Sequence, residues 1–284
     1  MNGIPFGGRE SHWTDYSSSK IVVFPVPYDY TATWLKGANL GPEAILDASA
    51  HLELYDIETD IEVHSYGIYT FKSHYLTKSP EKLTHFVKQH FSSFIKDGKF
   101  PVMLGGNHSI TPGAVQGVKE YFPDLSVLQL DAHADLRESY NGSPFNHACV
   151  MARVKEMCPA VQVGIRSLDR EEYEKLDESR TFFAKDIVFR DDWVDNVVKL
   201  LSSHVYVTID LDVFDPSVMP STGTPEPGGL SWYQIIGLLK RVASKKHVVG
   251  FDVVELMPNK HNKAPDFIAA KLVYVFLSYI FKYR

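Results

Sequence analysis

Cysteine is scarce in this chain. Cys149 and Cys158 are the only two. Two cysteines cannot staple a chain of this length, and their spacing fits no zinc-ribbon pattern. Such usage reads as a reducing, cytoplasmic setting. An excess of basic charge is also missing. Lys and Arg number 29 against 35 Asp and Glu, a formal net charge of −6. A nucleic-acid binder would need a basic stripe, so no nucleic-acid partner is expected. The opening MNGIPFGGRESHW lacks a positive segment followed by an apolar core, so it does not read as a secretory signal. No long uncharged apolar run is present either. The greasiest stretch, IAAKLVYVFLSYIF near the end, is short and carries Lys271. It reads as a buried or oligomer-facing helix, not a membrane span. Internal repeats and Gly/Ser linkers are absent, so residues 1–284 read as one domain.

What is present is an ordinary globular composition and a regular rhythm. Hydrophobic residues make up 44% and aromatics 13%, which excludes disorder and allows a sizeable core. Strands are expected at 21–26, 100–104, 125–130, 160–164, 204–209 and 247–254. Helices are expected from Pro42, over 80–96, from an N-cap at Ser109, over 147–157, 170–179 and 191–201, from Ser231, and at the C-terminus. A Pro/Gly-rich loop spans 215–229. Nearly continuous apolar strands alternating with helices predict a mainly parallel sheet covered on both faces, an α/β protein in three layers α/β/α. Such sheets bind ligands beyond the carboxyl ends of their strands.

The chemistry-bearing residues stand at those ends. DAHAD follows SVLQL. Side chains alternate along extended backbone, so Asp131, His133 and Asp135 can face one way. DLD follows HVYVTI and adds Asp210 and Asp212. GGNHS follows PVML and adds His108. Any one of these residues alone reads as a cap or a turn. Together they make six candidate metal ligands, four of them carboxylates, which would repel one another without cations. Six ligands suit two ions better than one. Oxygen-rich donors with some imidazole and no thiolate favour Mn²⁺ over Zn²⁺. Two ions sharing a water lower its pKa toward neutrality, which makes hydrolysis the natural reaction class. His147 is the candidate proton shuttle. Glu255 is the candidate anchor for a planar cation held by paired hydrogen bonds.

Several motifs together resemble the ureohydrolase family of arginases and agmatinases. They are GPEAI at 41–45, GGNHS at 105–109, DAHAD at 131–135, HA at 147–148, DLDVFDPSVMPSTGTPEPGGLS at 210–231 and DVVELMP at 252–258. The resemblance implies the arginase-like fold and two Mn²⁺ per subunit. Their ligands would be His108, Asp131, His133, Asp135, Asp210 and Asp212, with Asp131 and Asp210 bridging. It implies hydrolysis of a small cationic guanidino compound to urea and an amine, with His147 as proton shuttle and Glu255 on the guanidinium. It also implies a homo-oligomer, commonly a trimer or hexamer. The chain departs from the family pattern at Asn107, where an acid is usual, which would alter the surroundings of His108.

The family resemblance also bears on the substrate. Arginases carry an Asn two residues beyond the last Asp of the DAH motif. Here that position is Arg137, and the segment DLRESYNGSPFNHA is more similar to agmatinases. Agmatine, yielding putrescine, is therefore the expected substrate. Aminopropylagmatine, arginine or another guanidino acid, and a formimidoyl-type C–N substrate are the alternatives. Arg137, Ser143 and Asp169 stand where arginases hold the substrate head group.

Overall fold

A computed structural model describes residues 4–8, 15–72 and 77–284. Residues 1–3 and 9–14 of the opening segment read above lie outside the described residues. Eight strands form one sheet among the described residues: β1 (Ile21–Val26), β2 (Ile68–Thr70), β3 (Phe100–Gly105), β4 (Leu125–Leu130), β5 (Ala160–Ile165), β6 (Thr181–Phe183), β7 (His204–Asp210) and β8 (His247–Val254). Every pairing is parallel, and the spatial order is β2-β1-β3-β8-β7-β4-β5-β6.

The strands are continuously apolar because both sheet faces are covered. In β1, Ile21 and Val23 enter one core while Val22 and Phe24 enter the other. Helices Gly41–Ser49, Val194–Leu200, Trp232–Lys245 and Ala264–Tyr283 close the first face. Helices Pro80–Lys96, Thr111–Lys119 and Val150–Lys155 close the second. This is the predicted three-layer arrangement. Two strand prolines fit it as well. Pro25 lies past the last β1–β2 pair, and Pro101 lies before the first β3–β8 pair. Each sits where its strand has only one partner, so the missing N–H removes no ladder bond on the other side. By length and composition the last helix could cross a membrane. Here it packs as a core helix, with Leu272, Phe276 and Leu277 fully buried. Each such side chain contributes about 1.5–3 kcal/mol of burial.

The structure corrects several expected boundaries. Ser109 is not an N-cap. Asn107 caps instead, accepting from the Ser109 N–H at the start of a 3₁₀ turn, His108–Ile110. The α-helix starts at Thr111, where Pro112 occupies its first turn. The helix expected over 170–179 ends at Lys175, where Leu176 turns extended. The one expected over 191–201 begins at Val194. The helix from Pro42 ends at Ser49. Strands β2 and β6 went unpredicted, because three residues at a sheet edge carry too little alternation to be seen.

Candidate metal centre

Four adjacent central strands deliver the site. His108 follows β3, Glu255 follows β8, Asp210 ends β7 with Asp212 just beyond, and the DAHAD segment follows β4. The close approach of the segment just after β1 to the turn before His108 requires glycine: a Cβ on Gly106 would lie 1.9 Å from the Tyr28 carbonyl oxygen. DAHAD is not a continuation of regular strand. His133 makes one isolated bridge to Ser167, and Asp135 takes a left-handed conformation with φ 53°. Glu255 is left-handed as well, with φ 65°. Such backbone costs on the order of 1–3 kcal/mol per residue and clusters at functional sites.

The candidate ligand side chains converge. His108 Nδ1 lies 3.1 Å from Asp131 Oδ2, 3.2 Å from Asp135 Oδ2 and 3.5 Å from Asp210 Oδ2. His133 Nδ1 lies 2.9 Å from Asp212 Oδ2 and 3.6 Å from Asp131 Oδ1. Two groups could each hold a metal ion, His108 with Asp131 and Asp135, and Asp131 with His133 and Asp212. Asp131 is common to both. Backbone donors aim the carboxylates. The His133 N–H donates to Asp131 Oδ1, the Asp212 N–H to Asp210 Oδ1, and the Ala132 N–H to Asp212 Oδ1.

This donor set fits cations. His108 Nδ1 is enclosed and makes no hydrogen bond, although three carboxylates stand around it. Ligand atoms at about 2.0–2.2 Å from one ion are spaced much as these are. Without a cation the acids oppose one another. Burial and the Asp131 charge push Asp135 up to about 7, and burial with the Asp212 and Asp131 charges pushes Asp210 well above its ordinary range.

Buried polar groups that the apolar pattern conceals hold this cluster from below. Gln162 donates to Gln129 Oε1 at 2.6 Å, and Gln129 donates to Asp131 Oδ2 at 2.7 Å. Within SVLQL and AVQVGI these glutamines look incidental. Only the β4–β5 register, which pairs Gln129 with Gln162, shows their role. Arg166 reaches beneath the DLD turn. Its guanidinium donates to the carbonyls of Gly164, Asp212 and Phe214, and to those of Glu226 and Pro227 in the long loop. One side chain thus ties the DLD turn to the loop that walls the site.

His108, His133, Asp135, Asp210 and Asp212 form the floor of a cavity of about 300 Å³, while Asp131 is buried and does not line it. His147, Glu255, Arg137 and Asp169 line it, as do Trp34, Leu35, Tyr140 and Glu172, which sequence reasoning missed. Glu255 Oε1 accepts from the His108 N–H at 2.7 Å. Burial raises its carboxyl to about 8. Burial lowers His147 to about 4, and its Nδ1 is enclosed without a hydrogen-bond partner. Arg137 contacts Asp169 at 2.6 Å and Glu172 at 3.6 Å, and stacks 4.8 Å from the Tyr140 ring centroid. Asp169 also caps the helix Arg170–Lys175 in a reciprocal box with Glu172. The spacing Asp169-x-x-Glu172 was a readable signal for that cap. Ser143 is not among the residues lining the cavity; its hydroxyl donates to Glu81 at 3.1 Å. Asn107 contacts no ligand carboxylate. It donates to Thr31 Oγ1 at 2.6 Å and so secures the loop carrying Trp34.

Fold and site together define a hydrolase of the three-layer α/β class. The arginase family profile matches residues 19–278. The chain is 37% identical over 277 residues to the N(1)-aminopropylagmatine ureohydrolase of Synechocystis sp., covering 94% of this chain and 90% of that one. It is 35% identical over 271 residues to the agmatinase of Pyrococcus horikoshii, covering 92% of each. The agmatine ureohydrolase structure from Thermoplasma volcanium superposes with a TM-score of 0.88 at 34% identity, over 96% of this chain and 94% of that one. The chain belongs to the arginase family, and within it is an agmatinase-like ureohydrolase acting on guanidino C–N bonds.

Proposed function

We propose that this protein hydrolyses agmatine to urea and putrescine with two Mn²⁺ held by His108, Asp131, His133, Asp135, Asp210 and Asp212. The observation that carries this reading is the shared cavity: His108, His133, Asp135, Asp210 and Asp212 line its floor, Asp131 is buried against them, and Glu255 lines it as well. The chemistry supplied by bound ions is activation of water near neutral pH. Glu255 holds the guanidinium. Its Oε1 is committed to the His108 N–H, which leaves Oε2 for the planar cation. His147, kept neutral by burial, takes a proton and returns it to the leaving amine.

Arg137 bears on the choice among guanidines. It is already engaged by Asp169 and Glu172, which makes it a poor clamp for an α-carboxylate. An amine without that carboxylate therefore suits the cavity better than arginine. The N1-aminopropyl derivative of agmatine is the second reading. It is favoured by the cavity's reach to Trp34, 67% exposed at the rim, which offers an aromatic face to a distal ammonium, and by the name of the Synechocystis relative. A homo-oligomer in the cytoplasm completes the proposal. Phe189 and Tyr233, 95% and 78% exposed, support an intersubunit surface.

The test is urea release from agmatine, N1-aminopropylagmatine and arginine after loading with Mn²⁺. Turnover of the two amines with little from arginine is expected. Urea from none of the three would overturn the function, and faster arginine turnover would overturn the substrate class.

A further inference from the structure

We infer that Asp252 is a positioning residue for His108, acting through the hydroxyl of Thr208. Asp252 lies within β8, fully buried, three residues before Glu255. A carboxylate in the middle of a core strand needs partners. Here they are three hydroxyls. Thr208 donates to Oδ1 at 2.6 Å, while Tyr206 and Thr111 donate to Oδ2 at 2.8 and 2.9 Å.

The direction of these bonds carries the inference. An ionised carboxylate only accepts, and a threonine hydroxyl has one hydrogen. Thr208 gives that hydrogen to Asp252. The 2.8 Å contact between Thr208 Oγ1 and His108 Nε2 is therefore an N–H donated by the ring. With the proton fixed on Nε2, the lone pair of Nδ1 faces Asp131, Asp135 and Asp210. That is the tautomer a metal ligand needs. The relay Asp252, Thr208, His108 thus sets the ring's orientation and basicity from below the site, and no residue of it except His108 touches the cavity. The inference rests on the metal-centre reading above.

The test removes one hydroxyl and restores it. Thr208→Val keeps the shape of the side chain and breaks the relay; Thr208→Ser rebuilds it. Metal-free wild type, Thr208→Val and Thr208→Ser are titrated with Mn²⁺ by calorimetry, alongside their thermal midpoints. Loss of a partner behind a ligating His costs about 10–100-fold in metal affinity. Thr208→Val is expected to show that loss and Thr208→Ser to recover most of it. A purely structural threonine would lower the midpoint and leave the affinity unmoved, which overturns the inference. Wild type that takes up no Mn²⁺ overturns the metal centre itself, and the relay with it. Should Thr208→Val fail to fold, Thr208→Ala takes its place in the same Mn²⁺ titration: a loss of about 10–100-fold in affinity is expected, and wild-type affinity refutes the relay.

Discussion

The two ends of the cavity are built differently. At the floor, the candidate ligand carboxylates are almost fully buried, and oxygens of Asp131, Asp210 and Asp212 are aimed by backbone N–H groups. Gln129 braces Asp131, Arg166 holds the backbone of the DLD turn, and the hydroxyl-bound Asp252 stands behind His108 through Thr208. At the mouth, Trp34 is mostly exposed, and Arg137 and Asp169 each keep about a third of their side-chain surface in water. Charges interact several times more strongly in a buried cluster than at a surface. On the function proposed above, the floor is therefore the part intolerant of change, where the chemistry would occur, and the mouth is the tolerant part, where the substrate would be selected.

If that division holds, the largest effects lie at the floor. Asp131→Asn removes the carboxylate common to both metal groups. Metal content by atomic absorption should fall to background, and urea release should vanish. Retention of either would show that the floor is less coupled than its geometry indicates. Arg166→Lys keeps the charge and loses the planar fork that spans several carbonyls. The cost should be about 3 kcal/mol, a fall of roughly 6–12 °C in the thermal midpoint. His147→Ala should leave metal content unchanged while kcat drops by about 10²–10⁴. Unaltered kcat would remove His147 from the proton path.

How much could be read from the sequence follows the same division. The convergence of the floor's candidate ligands was legible because their carboxylates and imidazoles recur at strand ends, where nothing in a core strand calls for charge. Their supports were not. Gln129, Gln162 and Asp252 matter through lateral register, and register is a property of neighbouring strands, not of one segment. The mouth was legible only in part. Arg137 and Asp169 do line the cavity, but the sequence did not show that they hold each other, nor that Ser143 bonds Glu81 instead. Loop side chains such as Trp34 carry no periodic signal, so their place at the rim emerges only when β1 and β3 bring the loop against His108.

At the mouth the expected changes are smaller and of opposite sign to those below. Arg137→Ala leaves Asp169 and Glu172 without their cation. A cationic substrate should then bind better, with KM falling by about fivefold and kcat nearly constant, as befits about 1 kcal/mol of surface electrostatics. A rise in KM for agmatine would mean that Arg137 contacts the substrate directly, and the division between the two ends would have to be redrawn.

The smallest effect belongs to the loop that forms part of the outer wall. Asp215 anchors it: Oδ1 accepts from the Ser217 hydroxyl and N–H, and Oδ2 from the N–H groups of Gly228 and Gly229. The Ser217 hydroxyl contributes most, and together these bonds lower the Asp215 carboxyl to about 2. A carboxyl with a folded pKa below its unfolded value of about 3.9 adds stability above that value and loses it as pH falls through the folded pKa. Asp215→Asn should therefore cost about 1 kcal/mol at pH 7, a value held low because the group is mostly solvated. The gap between wild type and variant should close as pH drops from about 4 toward 2. Chemical denaturation of both proteins across that range measures it. A gap that stays constant with pH would place the loop's anchorage in its prolines and in Arg166, not in the Asp215 charge.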